Sequence, residues 1–374
     1  MMSKPILLSS PHMSDEGYEL EYIHDAFAKN WIAPLGENVT GFEQAMSGYL
    51  GRGHMVALSA GTAALHLSLV LCGVGPGDLV FCQNLTFSAS ANPIAYQGAQ
   101  PVFIDSERDT WNMDPEALRK AFKLYGKPKA VVVVHLYGTP AKMDEICAIC
   151  REAGVPLVED AAEALGSEYK GQKCGTFGRF GVLSFNGNKI ITTSGGGMLV
   201  CENQEDAAHA LKLATQAREN FPWYQHEEIG FNYRMSNICA GIGRGQAKVL
   251  PLRVEQKRAI YRRYQENLAG LPLTMQPIPA DCHANCWLSV ALLDEGCAVT
   301  PAQILDALKA QKLEGRPLWK PMHAQPVFAN AKYVTVGEAS VSDDLFNRGV
   351  CLPSDTKMSL EDVDRICDVI RELF

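Results

Sequence analysis

The chain has 374 residues, of which 47% are hydrophobic and 20% charged, and a formal net charge of -8. That balance is ordinary for a globular protein, and the length suits one large domain plus a smaller one with a substantial core. The acidic charge carries no block of like sign. It argues against a nucleic-acid or anionic-membrane surface while leaving room for local basic pockets that hold phosphates.

Near the N-terminus the apolar run Ile6-Leu7-Leu8 before Pro11 is too short for an export or transmembrane segment. The 12 cysteines are scattered, with Cys72, Cys82, Cys201 and Cys239 inside apolar runs, which reads as reduced thiols in the cytoplasm. Short runs rich in valine, isoleucine and phenylalanine recur at 56–59, 79–83, 102–105, 130–136, 155–160, 182–185 and 197–201. Their lack of alternation predicts strands buried on both faces of a mostly parallel sheet. Helical stretches sit between them: 62–72 stops at Gly73, and Asp114-Pro115 supplies an N-cap and a first-turn proline before 116–122. Cys147 and Cys150 fall in an amphipathic helical stretch at 143–153. Cys282-His283-x-x-Cys286 has no second cluster to complete four ligands, so no metal is expected.

The character changes near Leu250. A charged helix over 254–268 bridges to a second unit, so the expected division is a large domain at 1–250 and a smaller α+β domain at 251–374. In the latter, 286–293 is strand-like, Thr300-Pro301 opens a helix to Lys312, and Ser359 with Asp362 makes a capping-box-like start to the last helix.

Three elements carry chemistry. In Ser184-Phe185-Asn186-Gly187-Asn188-Lys189, a strand ends at a serine and a lysine follows in a polar turn before Gly195-Gly196-Gly197. Apolar strands on both sides place Lys189 inside the fold, and a desolvated lysine readily loses its charge and forms a Schiff base with an aldehyde. The strand at 155–160 ends in Asp160, where α/β proteins place ligand contacts, although a helix N-cap is the plain alternative. Ser59-Ala60-Gly61-Thr62 turns from strand to helix and makes an anion site, to which the Thr62 and Ser184 hydroxyls can add donors.

Together with Asn30-Trp31-Ile32-Ala33-Pro34-Leu35-Gly36, Val134-His135-Leu136-Tyr137-Gly138, Gly230-Phe231-Asn232-Tyr233-Arg234-Met235-Ser236-Asn237 and Pro321-Met322-His323, these elements resemble the DegT/DnrJ-type sugar aminotransferases over nearly the whole chain. That branch has the fold-type I (aspartate aminotransferase-like) architecture and uses pyridoxal 5'-phosphate. The resemblance implies Lys189 as covalent anchor and proton carrier, Asp160 against the pyridine nitrogen, and Phe87 stacked on the ring, unless Phe87 is simply a core aromatic. It also implies Gly61, Thr62 and Ser184 on the phosphate, and Asn232 reaching the phosphate of a neighbouring subunit in an obligate homodimer. Position 163, more often glutamine or histidine in such enzymes, is Glu163 here. Beside the cofactor's ring oxygen it is expected to be protonated, with a raised pKa.

Within the family, Asn186-Gly187-Asn188-Lys189-Ile190-Ile191-Thr192-Thr193-Ser194-Gly195-Gly196-Gly197, Thr215-Gln216-Ala217-Arg218-Glu219-Asn220 and Arg316-Pro317-Leu318-Trp319-Lys320-Pro321-Met322-His323-Ala324-Gln325 are similar to the bacillosamine branch. This implies a UDP-linked 4-keto sugar as acceptor and L-glutamate as amino donor. Arg316, Lys320 and His323, with Met322 beside them, are candidates for holding the pyrophosphate, the alternative being a solvated basic loop. Asn30, Trp31, Ile32 and Ala33 are candidates for the sugar-nucleotide pocket, with Trp31 otherwise a core or interface anchor. Three rival readings are disfavoured. A pyridoxal-dependent dehydratase replaces the lysine, a dinucleotide oxidoreductase needs a G-x-G-x-x-G turn that is missing, and a non-catalytic binder would not need the full constellation.

Overall fold

The run Ala130–Val134 forms a strand with all five residues buried, as β-branched side chains do when both faces of a sheet are covered. It is one of nine strands before residue 202 in the computed structural model, which describes residues 5–374. These are β1 (His54–Leu58), β2 (Leu79–Gln83), β3 (Gln100–Ile104), β4 (Ala130–Val134), β5 (Leu157–Asp160), β6 (Glu168–Tyr169), β7 (Gln172–Lys173), β8 (Phe180–Ser184) and β9 (Gly197–Cys201). Six more follow: β10 (Leu273–Met275), β11 (Cys282–His283), β12 (Ser289–Leu293), β13 (Arg316–Pro317), β14 (Lys332–Val334) and β15 (Gly349–Leu352).

The large sheet has the order β1-β9-β8-β5-β4-β2-β3-β14. β9 is antiparallel to both neighbours, and the other pairings are parallel. The strand runs expected from the sequence all recur, with ends displaced by a residue or two where strands fray. This is the mostly parallel, helix-flanked α/β architecture of a fold-type I transferase. No helix among the described residues is long and apolar enough to cross a membrane.

Helices α1 (Tyr18–Ala28), α2 (Glu37–Leu50), α3 (Gly61–Leu71), α4 (Asn92–Tyr96), α5 (Pro115–Tyr125), α6 (Met143–Ala153) and α7 (Gln204–Ala214) surround this sheet. In α3, Gly61 and every residue from Ala63 to Leu69 are buried, so it is an apolar helix inside the fold rather than on its surface. Helix α5 starts as its sequence predicts, with the Asp114 carboxylate accepting from the Glu116 and Ala117 N–H groups at 2.7 and 3.4 Å.

The helix expected at 254–268 is longer: α8 spans Asn237–Asn267 and runs through Pro251. Three glycines in its first half, weak helix formers alone, are required by packing. A Cβ on Gly245 would sit 2.5 Å from the Glu19 backbone nitrogen of α1, and one on Gly243 2.7 Å from the Phe42 ring of α2. Tertiary contact thus overrides propensity. Residue 250 consequently lies within one continuous rod.

After it come α9 (Pro301–Ala310), α10 (Val341–Arg348) and α11 (Leu360–Arg371). Capping boxes open α9 at Thr300/Gln303 and α11 at Ser359/Asp362. The antiparallel sheet β10-β12-β15-β13 packs with α9, α11 and the end of α8 around Ile260, Tyr264, Leu308 and Ile366. The late chain also returns to the large sheet, where Lys332, Tyr333 and Val334 of β14 pair with Val102, Phe103 and Ile104 of β3.

Candidate active site

A cavity of about 390 Å3 opens where the parallel strands end, the usual ligand position in such sheets. The turn after β1 brings Ser59, Gly61 and Thr62 to it, the segment after β2 brings Thr86 and Phe87, and β5 brings Asp160 with Glu163 three residues on. Ser184 and Lys189 enter from the end of β8, while Trp287 and Trp319 form a wall from the C-terminal part of the chain.

One end of the cavity is a cradle of donors. Helix α3 begins at Gly61 with no side-chain cap from Ala60, so its first N–H groups face the cavity. The hydroxyls of Thr62 and Ser184 line the same space and hold no hydrogen bond to the described residues. The backbone comes close because side chains are missing: a Cβ on Gly61 would meet Ser184 Cβ at 3.1 Å, and one on Gly197 would meet the Ala60 carbonyl carbon at 2.3 Å.

The other end is built from carboxylates and an amine. Asp160, 5% exposed, accepts from Ser90 Oγ at 2.6 Å on one oxygen and from the Ala162 N–H at 3.1 Å on the other. The local turn contact therefore coexists with a position at the cavity. Glu163 is also buried, and its Oε2 accepts the Tyr137 N–H at 2.7 Å. Burial raises its pKa, against the lowering influence of the Lys189 charge and the Tyr137 N–H. Lys189 Nζ lies 3.7 Å from Glu163 Oε1 and 4.1 Å from the centre of the Trp287 ring, with the side chain 13% exposed. The lysine is thus desolvated on an aromatic face.

Phe87 is not a core aromatic. It is 58% exposed, lines the cavity and faces the Trp319 ring at 6.1 Å. The segment at 316–323 is corrected by its packing. Met322 is buried in the core against the large sheet. His323 stacks on Tyr333 at 4.0 Å, lies 3.4 Å from Asp343 and is held by Asn84, so it is engaged away from the cavity. Arg316 is exposed and paired with Glu314 at 2.7 Å, in a smaller cleft that shares Asn188, Trp287 and Trp319 with the main cavity. Lys320 is exposed. Arg316 and His323 therefore have separate partners, and the three basic side chains do not form one cluster.

Asn30, Trp31, Ile32 and Ala33 do not line this chain's own cavity. Trp31 Nε1 donates to the Leu35 carbonyl at 2.8 Å, beside a separate pocket with Asn237. Asn232 is likewise exposed and outside it.

Reading the sequence missed four supports: Ser90, Tyr137, Trp287 and the indole of Trp319. Tyr137 is buried in the left-handed region (φ 56), which aims its N–H at Glu163, and its hydroxyl accepts the Trp319 backbone N–H at 2.9 Å. The only signals were the Val134-to-Gly138 string and the scarcity of tryptophan, 5 in the chain.

The residues present fit pyridoxal phosphate. An uncapped helix N-terminus and two unengaged hydroxyls suit a phosphate, and a desolvated lysine and a buried aspartate suit an aldehyde and a ring nitrogen. The Trp319 indole N–H is buried beside the Glu163 carboxylate, on the same wall of the cavity. Fold and site define a pyridoxal-phosphate-dependent aminotransferase.

Comparison with known proteins gives the family. The chain belongs to the DegT/DnrJ/EryC1/StrS aminotransferase family, matched over residues 14–371. It is 51% identical over 379 aligned residues to EpsN of Bacillus subtilis (strain 168), named as a pyridoxal phosphate-dependent aminotransferase, covering 100% of this chain and 97% of EpsN. It is 34% identical to the GDP-perosamine synthase of Caulobacter vibrioides, over 96% of each chain. Among solved structures, the aminotransferase TlmJ from Streptoalloteichus hindustanus superposes with a TM-score of 0.90 at 31% identity, covering 99% of this chain and 98% of TlmJ. The dinucleotide-oxidoreductase reading falls away, since Gly195-Gly196-Gly197 leads into strand β9 and not a helix.

Proposed function

We propose that this enzyme moves an amino group from L-glutamate to C4 of UDP-2-acetamido-2,6-dideoxy-α-D-xylo-hexos-4-ulose, giving UDP-4-amino-4,6-dideoxy-N-acetyl-α-D-glucosamine and 2-oxoglutarate. The observation that carries the reading is that Lys189, Asp160 and Glu163 line the same cavity as the Gly61, Thr62 and Ser184 cradle, with Lys189 Nζ 3.7 Å from Glu163. The UDP-linked acceptor is supported by the strings around Asn186, Thr215 and Arg316. A second reading, a GDP-linked 4-keto sugar, is favoured by the similarity to a GDP-perosamine synthase.

Bound pyridoxal phosphate supplies an aldehyde and a ring that takes up the electrons freed at carbon. Lys189 Nζ is the covalent anchor. As a free amine, the Lys189 Nζ would take the proton from the α-carbon of glutamate in the first half-reaction and, in the second, would deliver a proton to C4 of the sugar. Asp160, its carboxylate oriented by Ser90 and Ala162, keeps the ring nitrogen protonated. Glu163, whose pKa burial raises, would face the ring oxygen and donate to it when protonated. Phe87 would stack on the ring, and Gly61, Thr62 and Ser184 would hold the phosphate.

The protein works as a cytoplasmic homodimer in which Asn232 and the segment Asn30 to Ala33, exposed through Ile32, serve the neighbouring subunit's site. Arg316, at the rim of the adjoining cleft, contacts the diphosphate. Incubation with glutamate and a panel of UDP-, GDP- and dTDP-4-keto sugars tests this. Amination of the UDP sugar is expected, and selective turnover of the GDP sugar would replace the first reading with the second.

A further inference from the structure

Lys257 is among the largest fully buried side chains, 2% exposed in the middle of α8. Lysines are almost never so deep unless paired, yet among the described residues no carboxylate lies within ion-pair reach of it. Its Nζ donates to the Ser354 carbonyl at 2.6 Å and to Ser9 Oγ at 3.1 Å. Burial lowers its pKa to about 7, with the charge of Asp355 opposing. An apolar residue of similar length would avoid that desolvation, so the two hydrogen bonds need an explanation.

The second bond leads to the active site. Ser9 Oγ, accepting from Lys257, gives its own proton to the Asn188 carbonyl at 2.9 Å. That carbonyl also accepts Trp287 Nε1 at 2.8 Å, and Trp287 is the ring beneath the Lys189 amine. Ser9 cannot drift with the turn, because the segment around it is tied to the small sheet. The Ser354 N–H donates to the Leu8 carbonyl at 2.8 Å, the Leu8 N–H to Glu314 at 3.0 Å, and Lys357 Nζ to the Pro11 carbonyl at 3.1 Å.

We propose that Lys257 is a positioning residue, which through Ser9 fixes the Asn188 carbonyl and hence the turn from which Lys189 works. The inference rests on Lys189 as covalent anchor. In the reaction that side chain must leave its bound position and return to it, so a fixed point one residue away sets where the amine comes back.

The test follows the pH midpoint of the visible absorbance of the pyridoxal-phosphate-loaded enzyme, which reports the proton on the Lys189 linkage. It also records the melting temperature of the cofactor-free protein. Ser9→Ala and Lys257→Met are each expected to move the midpoint in the same direction by about half a pH unit or more, with the double variant moving it no further than the larger single change. Ser9→Thr, which keeps the hydroxyl, is expected to restore it. Unchanged midpoints with a lowered melting temperature would reduce Lys257 to a structural residue and overturn the proposal, as would additive shifts. Should Lys257→Met not fold, the Ser9→Ala and Ser9→Thr pair decides alone. A Lys189→Ala protein that still titrates like the parent would sink the anchor assignment itself.

Discussion

The two ends of the cavity are made on opposite principles. At the cradle, Thr62, Ser184 and the first turn of α3 present donors that the protein leaves unengaged. At the amine end, each carboxylate is already held: Asp160 by Ser90 and Ala162, Glu163 by Tyr137. The difference follows from what each end must do. Phosphate brings charge of its own and needs only ready donors, whereas a ring that changes electronically needs partners already oriented before it arrives. Losses at the cradle should therefore appear as affinity, and losses at the amine end as rate.

The largest expected effect comes from removing the amine. Lys189→Ala should lower turnover of glutamate and keto sugar by about 10³-fold or more while the protein still binds pyridoxamine phosphate, measured by 2-oxoglutarate release and by equilibrium dialysis. Retained turnover would dissolve the contrast altogether. Asp160→Asn comes next: a loss on the order of 10²-fold in kcat is expected with cofactor content nearly unchanged, read by steady-state kinetics and cofactor absorbance.

Ser184→Ala probes the opposite end. It should weaken cofactor affinity by roughly ten- to a hundredfold, as the loss of one hydrogen bond to a charged group of about 1.5–3 kcal/mol implies, with kcat at saturating cofactor little altered. The melting temperature of the cofactor-free variant should barely change, because the hydroxyl has no partner to lose among the described residues. A large fall in kcat at saturation would erase the distinction.

Glu163→Gln gives the smallest change and sharpens the amine end. Because burial raises the folded pKa of Glu163, the folded state holds its proton more tightly than the unfolded one. That contribution to stability is full below the ordinary glutamate pKa and is lost as pH rises through the raised value. The glutamine variant should accordingly gain stability relative to the parent on going from acidic to mildly alkaline pH, by urea unfolding of the cofactor-free protein. Cofactor binding should persist in the variant. Its abolition would mean that Glu163 acts as a charged group.

Much of this was legible in the sequence because local patterns determine it. The apolar runs named every strand of the large sheet except β14, whose three residues carry too little pattern. Asp160, Ser184 and Lys189 were found because each ends or follows a strand, and that placement alone puts them at one edge. The helix through Pro251 was not legible, since the glycines that permit it read as breakers until α1 and α2 are seen against them. The cluster expected at Arg316, Lys320 and His323 failed for a similar reason: nearness along the chain says nothing about a side chain that stacks on Tyr333 or pairs with Glu314. The partners of Glu163 and Asp160 come from Tyr137 and Ser90, and no spacing rule relates those positions.

The short strand β14 has a consequence for how the molecule is made. On a chain emerging from the ribosome, β3 finds β2 early, but its outer rim of unpaired amide and carbonyl groups stays bare until the much later Lys332 to Val334 arrive. Such a rim recruits strands from other chains. Truncation before residue 332 should therefore yield a protein that clumps rather than one that merely lacks a tail.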